Sequence, residues 1–134
     1  MELLFQKENA STLEMKNAHN TMLKVFEGLV RLENYSGPVQ MGVWELEYRY
    51  LLEKYKIFIE SERGFITIKV KNEKGDIFFP SLIYGEADYF HFADKEKDVF
   101  HLIDLTKKAI SENKIIFFST EEIRTRNKRK MKEM

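Results

Sequence analysis

Two of the three histidines, His91 and His101, are each followed three residues later by an aspartate, Asp94 and Asp104. A doubled H-x-x-D brings together imidazole and carboxylate, the groups that bind zinc or move protons. The pattern around them opposes convergence. Residues 94–112 carry an apolar stripe through Val99, Leu102, Ile103, Thr106, Ala109 and Ile110, as on one face of a helix. At ~100° per residue, His101 falls about 160° from the inward direction of that stripe, beside Lys108, and so should face water. His91 stands in the alternating stretch YFHFAD and belongs at a sheet boundary. Zinc sites want three or four closely spaced ligands. The chain has no H-E-x-x-H, and with no cysteine it has no thiolate ligands or disulfides. No metal is expected here. His19 lies on the apolar stripe of an earlier helix and reads as a core-edge histidine bonded to backbone.

Nucleophile and phosphate chemistry lack their motifs. Ser11, Ser36, Ser61, Ser81, Ser111 and Ser119 are the only serines, and none sits in G-x-S-x-G. The stretch NEKGD lacks the length and the Lys-Ser/Thr of a P-loop. Glu45 and Glu47 share one strand face, ~7 Å apart, on the polar side where no dry pocket would raise a general acid's pKa. The expectation is a protein that is not an enzyme and takes no cofactor.

The elements that must position these residues follow from periodicity. Ser11 precedes Glu14 at capping-box spacing, and Met15, Ala18, Met22, Phe26, Leu29 and Val30 recur at three and four, predicting a helix over 11–33. The stretch 34–42, with Gly37-Pro38 and Gly42, should break it. The period then becomes two: Trp44, Leu46, Tyr48 and Tyr50 alternate with Glu45, Glu47 and Arg49, a strand with one wet face. Two further strands meet at Arg63-Gly64. Taking those two as the loop sets Glu62 opposite Phe65, Ile59 opposite Ile68 and Ile57 opposite Val70, all apolar residues on one face. A second loop, taken as NEKG, sets Ile77 opposite Val70 and Phe79 opposite Ile68, with Pro80 marking a strand end. Asp94 caps the helix 94–112, residues 114–119 form a short strand, and Ser119 to Glu122 starts a last helix. The result is a single α+β domain, 1–134. It is an antiparallel meander of four to five strands with an N-terminal helix and two C-terminal helices packed mainly on one face.

Charge separates the body from the end. Residues 124–134, RTRNKRKMKEM, hold six basic residues and one acidic, a net of +5, so the neutral chain leaves −5 on the remainder. Such a body repels nucleic acid and attracts basic proteins. Phosphate binding by the basic tail is the alternative, opposed by its lack of stacking aromatics. The opening MELLFQKENAS has no basic n-region, no apolar run approaches ~20 residues, and a cytoplasmic protein with no membrane contact is expected. The densest feature is acidic and aromatic: Glu86, Asp88, Asp94, Glu96 and Asp98 interleave with Tyr84, Tyr89, Phe90 and Phe92. Rings that fill pockets and acids that steer a basic partner suit a protein interface. The expected contact residues are Tyr84, Glu86, Asp88, Tyr89, Asp94, Glu96 and Asp98, joined by Glu45 and Glu47. An exposed sheet edge also leaves room for a homodimer.

In general makeup the chain is similar to the small cytoplasmic immunity proteins and antidotes that bacteria make against delivered toxins. The likeness is one of composition and architecture. It implies a non-enzymatic inhibitor that blocks a basic toxin or nuclease with an acidic surface. A nucleic-acid-associated regulator acting through the tail, and a small enzyme with an unrecognised site, are the competing expectations.

Overall fold

A computed structural model describes residue 3 and residues 9–62, 65–80, 90–91, 95–119 and 121. Helix α1, Ala10–Phe26, is followed by strand β1, Val30–Val39, a single 3-10 turn at Gln40–Gly42, and strands β2, Val43–Tyr50, β3, Lys56–Glu62, and β4, Phe65–Lys71. Two-residue strands β5, Ile77–Phe78, and β6, Phe90–His91, precede helix α2, Lys95–Ser111. The sheet runs β1-β2-β3-β4-β5, all antiparallel, and β6 pairs with the other end of β4. This is the expected α+β meander, with two helices among the described residues. The third expected helix, begun at Ser119, falls outside them after that residue except at Glu121.

Helix α1 is capped by Asn9, whose side chain accepts from the Thr12 N–H while the Thr12 hydroxyl accepts from the Asn9 N–H. The capping box therefore sits two residues earlier than Ser11–Glu14. The helix stops at Phe26 rather than at 33. Glu27 takes a left-handed conformation (φ 49°), its N–H bonds Leu23 O at 3.1 Å, and Gly28 (φ 84°) turns the chain away. Val30 and Leu32, expected inside the helix 11–33 with Val30 on its apolar stripe, are instead buried on an edge strand that sequence periodicity missed. Gly37 (φ 83°) fixes the return into β2: a Cβ there would lie 2.4 Å from Val43 O and 3.0 Å from Trp44 Cα.

The β3–β4 register is the expected one, Glu62 opposite Phe65 and Ile59 opposite Ile68. The next loop differs by one residue. Asn72 Oδ1 accepts from the N–H groups of Lys74 (3.0 Å) and Asp76 (2.9 Å), and the Asn72 N–H bonds Asp76 O. This Asx turn draws Asp76 into the loop, so Val70 faces Phe78, and Phe78, not Ile77 or Phe79, is the core residue. Residues 114–119 shrink from a strand to one bridge, in which Phe118 and Ile77 exchange two hydrogen bonds of 2.8 Å.

Both helices cover one face of the sheet. Trp44, Leu46, Tyr48, Ile57, Ile59, Ile66, Ile68, Val70 and Phe78 point into it. They meet Met15, Ala18, Met22 and Phe26 of α1 and Val99, Leu102, Ile103 and Ala109 of α2. Each Leu, Ile, Val, Met or Phe among them contributes roughly 1.5–3 kcal/mol by burial. The ammonium of Lys107 on α2 donates to Val25 O at 2.7 Å, tying α2 to the carbonyl end of α1. No helix among the described residues is long and apolar enough to cross a membrane.

Candidate functional site

Alternation along β2, β3 and β4 sends one set of side chains to the helices and the other to the uncovered face of the sheet. Cross-strand registry sorts that outer set into rows. One row is Ser36, Glu45, Glu60 and Thr67; the next is Asn34, Glu47, Phe58 and Lys69; the third is Arg31, Arg49, Lys56 and Lys71. The face is therefore acidic toward one end and carries four cations abreast at the other.

The acidic row holds a like-charge pair. Glu45 and Glu60 stand directly opposite on neighbouring strands, an arrangement that destabilises a sheet. Burial, then the Glu60 charge, pushes the Glu45 carboxyl above its ordinary range. Lys69 relieves part of this, reaching Glu60 at 2.7 Å. In the middle row Phe58 faces outward yet is only 7% exposed. The ammonium groups of Lys69 and Lys71 lie 5.4 and 5.0 Å from its ring centroid, and their stems cover it.

A bulge supplies the counterion for the basic row. The register of β1 against β2 shifts between Leu32 and Asn34, leaving Glu33 as the extra residue. Its carboxylate accepts from Arg49 Nε and lies 3.7 Å from Lys56 Nζ, which also approaches Glu47 at 3.6 Å. The Arg49 hydrogen bond, then the charges of Arg49, Lys56 and Arg31, holds the Glu33 carboxyl below its usual range. Among the described residues, Lys71 has no carboxylate at ion-pair distance. Beside this row, between loops 51–55 and 72–76, opens a cavity of about 780 Å³.

Of the expected contact residues, Glu45 and Glu47 do share this outer face, and Glu45 is less solvated there than its polar strand face suggested. Tyr84, Glu86, Asp88, Tyr89 and Asp94 lie outside the described residues. Glu96 and Asp98 fall on the first turn of α2, with side chains likewise outside the description. The basic row was missed, although the correct β3–β4 register already sets Lys56 opposite Lys71.

His101 is exposed on α2, as expected, and the backbone of His91 pairs with Phe65, its side chain lying outside the described set. Among the described residues no group of three or more His, Cys, Asp or Glu is placed to hold a metal ion. His19 is half-buried, but its partner is a side chain rather than backbone: Nδ1 and the Tyr48 hydroxyl share a hydrogen bond of 2.7 Å, and the rings stack at 5.7 Å. Burial lowers the His19 pKa and raises that of Tyr48, so both stay neutral at pH 7. A second groove, about 420 Å³ and lined by α1 and Val99, has Glu14 as the ionisable residue among its described lining, and Glu14 already accepts from the Ser61 hydroxyl.

No family model matches the chain, and neither a curated protein nor a solved structure matches it.

Proposed function

We propose that this is a non-enzymatic binding protein of the immunity or antitoxin type, which blocks a basic toxin or nuclease in the cytoplasm. The contact would combine the acidic end of the sheet's outer face, Glu45, Glu47 and Glu60, with the acidic and aromatic segment 84–98. The observation that carries this reading is the Glu45–Glu60 pair. Two carboxylates held face to face on an open sheet cost stability by themselves. A cation from a partner would remove that repulsion, so binding energy is available there that folding does not use.

The test is affinity capture with the full chain as bait, followed by assay of the captured protein's activity with and without the bait. The expected partner is basic, and loses activity when bound. The double change Glu45→Gln and Glu60→Gln should weaken capture at least tenfold while the chain stays folded, as a thermal melt would show. Charge reversal at Asp94, Glu96 and Asp98 tests the second part of the surface. Capture that survives both sets of changes would end this reading.

A further inference from the structure

The opposite end of the outer face carries chemistry that an acidic inhibitor surface does not use. Arg31, Arg49, Lys56 and Lys71 stand abreast on four successive strands. Strand spacing of ~4.8 Å makes the row about 14 Å long. Like charges directly opposite one another repel, and Glu33 and Glu47 offset only part of the row. The cavity beside it takes Arg49, Lys56 and Lys71 from the row and adds Lys54 from the β2–β3 loop; Glu53 and Glu73 share the lining, so its described cations outnumber its carboxylates four to two. Its volume of about 780 Å³ falls within the span of small-ligand sites, ~300–1,000 Å³.

The ion pairs already present are exchangeable. Lys54 and Glu73 meet at 3.5 Å with both side chains mostly exposed, and Arg49 is half-exposed where it meets Glu33. Pairs of that kind contribute little, so a multiply charged anion can replace them at small cost. The rim adds apolar surface. Leu51 and Leu52 are 50% and 65% exposed, and Tyr55, half-buried against Tyr50 at 6.3 Å and Phe117 at 5.3 Å, borders the same space.

The geometry points to a site for a nucleoside triphosphate at this end of the sheet, with Arg49, Lys56 and Lys71 on the phosphates and Tyr55, Leu51 and Leu52 against the base. The row is short, a loop flanks the cavity on each side, and the acidic row lies two registers away. Those features favour a small phosphate ester over an extended polyanion, which would have to run onto repelling carboxylates. This site is independent of the inhibitor reading, because it uses the other end of the face.

The test is calorimetric titration of the full chain at ~50 mM salt with ATP, inorganic tripolyphosphate and a single-stranded ten-nucleotide RNA. ATP should bind, and tripolyphosphate should bind more weakly because it lacks the base. The single changes Lys56→Gln and Lys71→Gln should each lower ATP affinity at least fivefold; among the described residues Lys71 has no carboxylate at ion-pair distance, so its variant should stay folded with a Tm close to native. Equal affinity for ATP and tripolyphosphate would overturn the assignment of the rim to the base. Binding of RNA more than tenfold tighter than ATP would overturn the choice of a small ligand. No ATP binding, or binding that Lys71→Gln leaves unchanged, would overturn the site itself.

Discussion

The two faces of β2, β3 and β4 are built from the same strands, residue by residue in alternation, and they obey opposite rules. On the inner face, Leu46, Ile59 and Ile68 form one cross-strand row and gain by exclusion of water. One residue along, Glu45, Glu60 and Thr67 form the next row on the outer face, where two of three carry the same charge. The inner row is what a sheet needs to fold. The outer rows include arrangements that oppose folding: Glu45 against Glu60, and Arg31, Arg49, Lys56 and Lys71 abreast. Stability resides in one face, and unused electrostatic energy in the other.

The largest effect should come from the inner face. Ile59→Ala should lose about 3–4 kcal/mol in a urea melt, whereas Glu60→Ala, its chain neighbour on the outer face, should stay within ~0.5 kcal/mol. Similar losses at both would erase the distinction between the faces. Next is Gly37→Ala. A Cβ in a left-handed conformation, pressed against Val43 O, should cost about 2–4 kcal/mol and loosen β1. Since β1 supplies Arg31 and the bulged Glu33, hydrogen exchange in that variant would show whether the basic row survives without its edge.

Smaller effects separate the two ends of the outer face by their pH dependence. Glu33 has a folded pKa below its unfolded value of 4.5. It therefore contributes stability above pH 4.5 that is lost as pH falls through the folded pKa. Glu33→Gln should cost roughly 0.5–1 kcal/mol at pH 7, less in 1 M salt, and nothing in strong acid. Glu45 has the opposite sign. Its folded pKa is raised above 4.5, so its ionisation opposes folding, and the penalty grows as pH rises through that range. Glu45→Gln should stabilise by a few tenths of a kcal/mol at pH 7, discounted for solvent screening, and the gain should vanish below pH 4. A loss of stability at pH 7 would contradict the repulsion on which the proposed interface rests.

Much of the inner face was legible from sequence because burial imposes a period. Ile57, Ile59, Ile66, Ile68 and Val70 alternate strictly, and a two-residue loop at 63–64 leaves one register that keeps them together. The α2 stripe was legible for the same reason at period 3.6. Strand β1 was not, because Met22, Phe26, Leu29 and Val30 continue a helical spacing across the stop. The stop itself is a local backbone event: Glu27 in the left-handed region, then Gly28. The slip at Phe78 has a similar origin, since one Asn72 side chain lengthened a loop. The outer rows were harder still. No single strand shows four cations abreast, because the row exists only once three registers, one of them from the unrecognised β1, are known together. The His19–Tyr48 pair is likewise a contact between elements, which helix periodicity alone does not encode.

The most direct test of the central claim is carboxyl footprinting of the captured complex. The full chain, free and bound to its partner, would be labelled with a carbodiimide and an amine and read by mass spectrometry. Labelling of Glu45, Glu47 and Glu60 should fall several-fold in the complex, while Glu27, exposed at the end of α1, labels equally in both. Unchanged labelling at Glu45, Glu47 and Glu60 would show that the partner does not rest on this face.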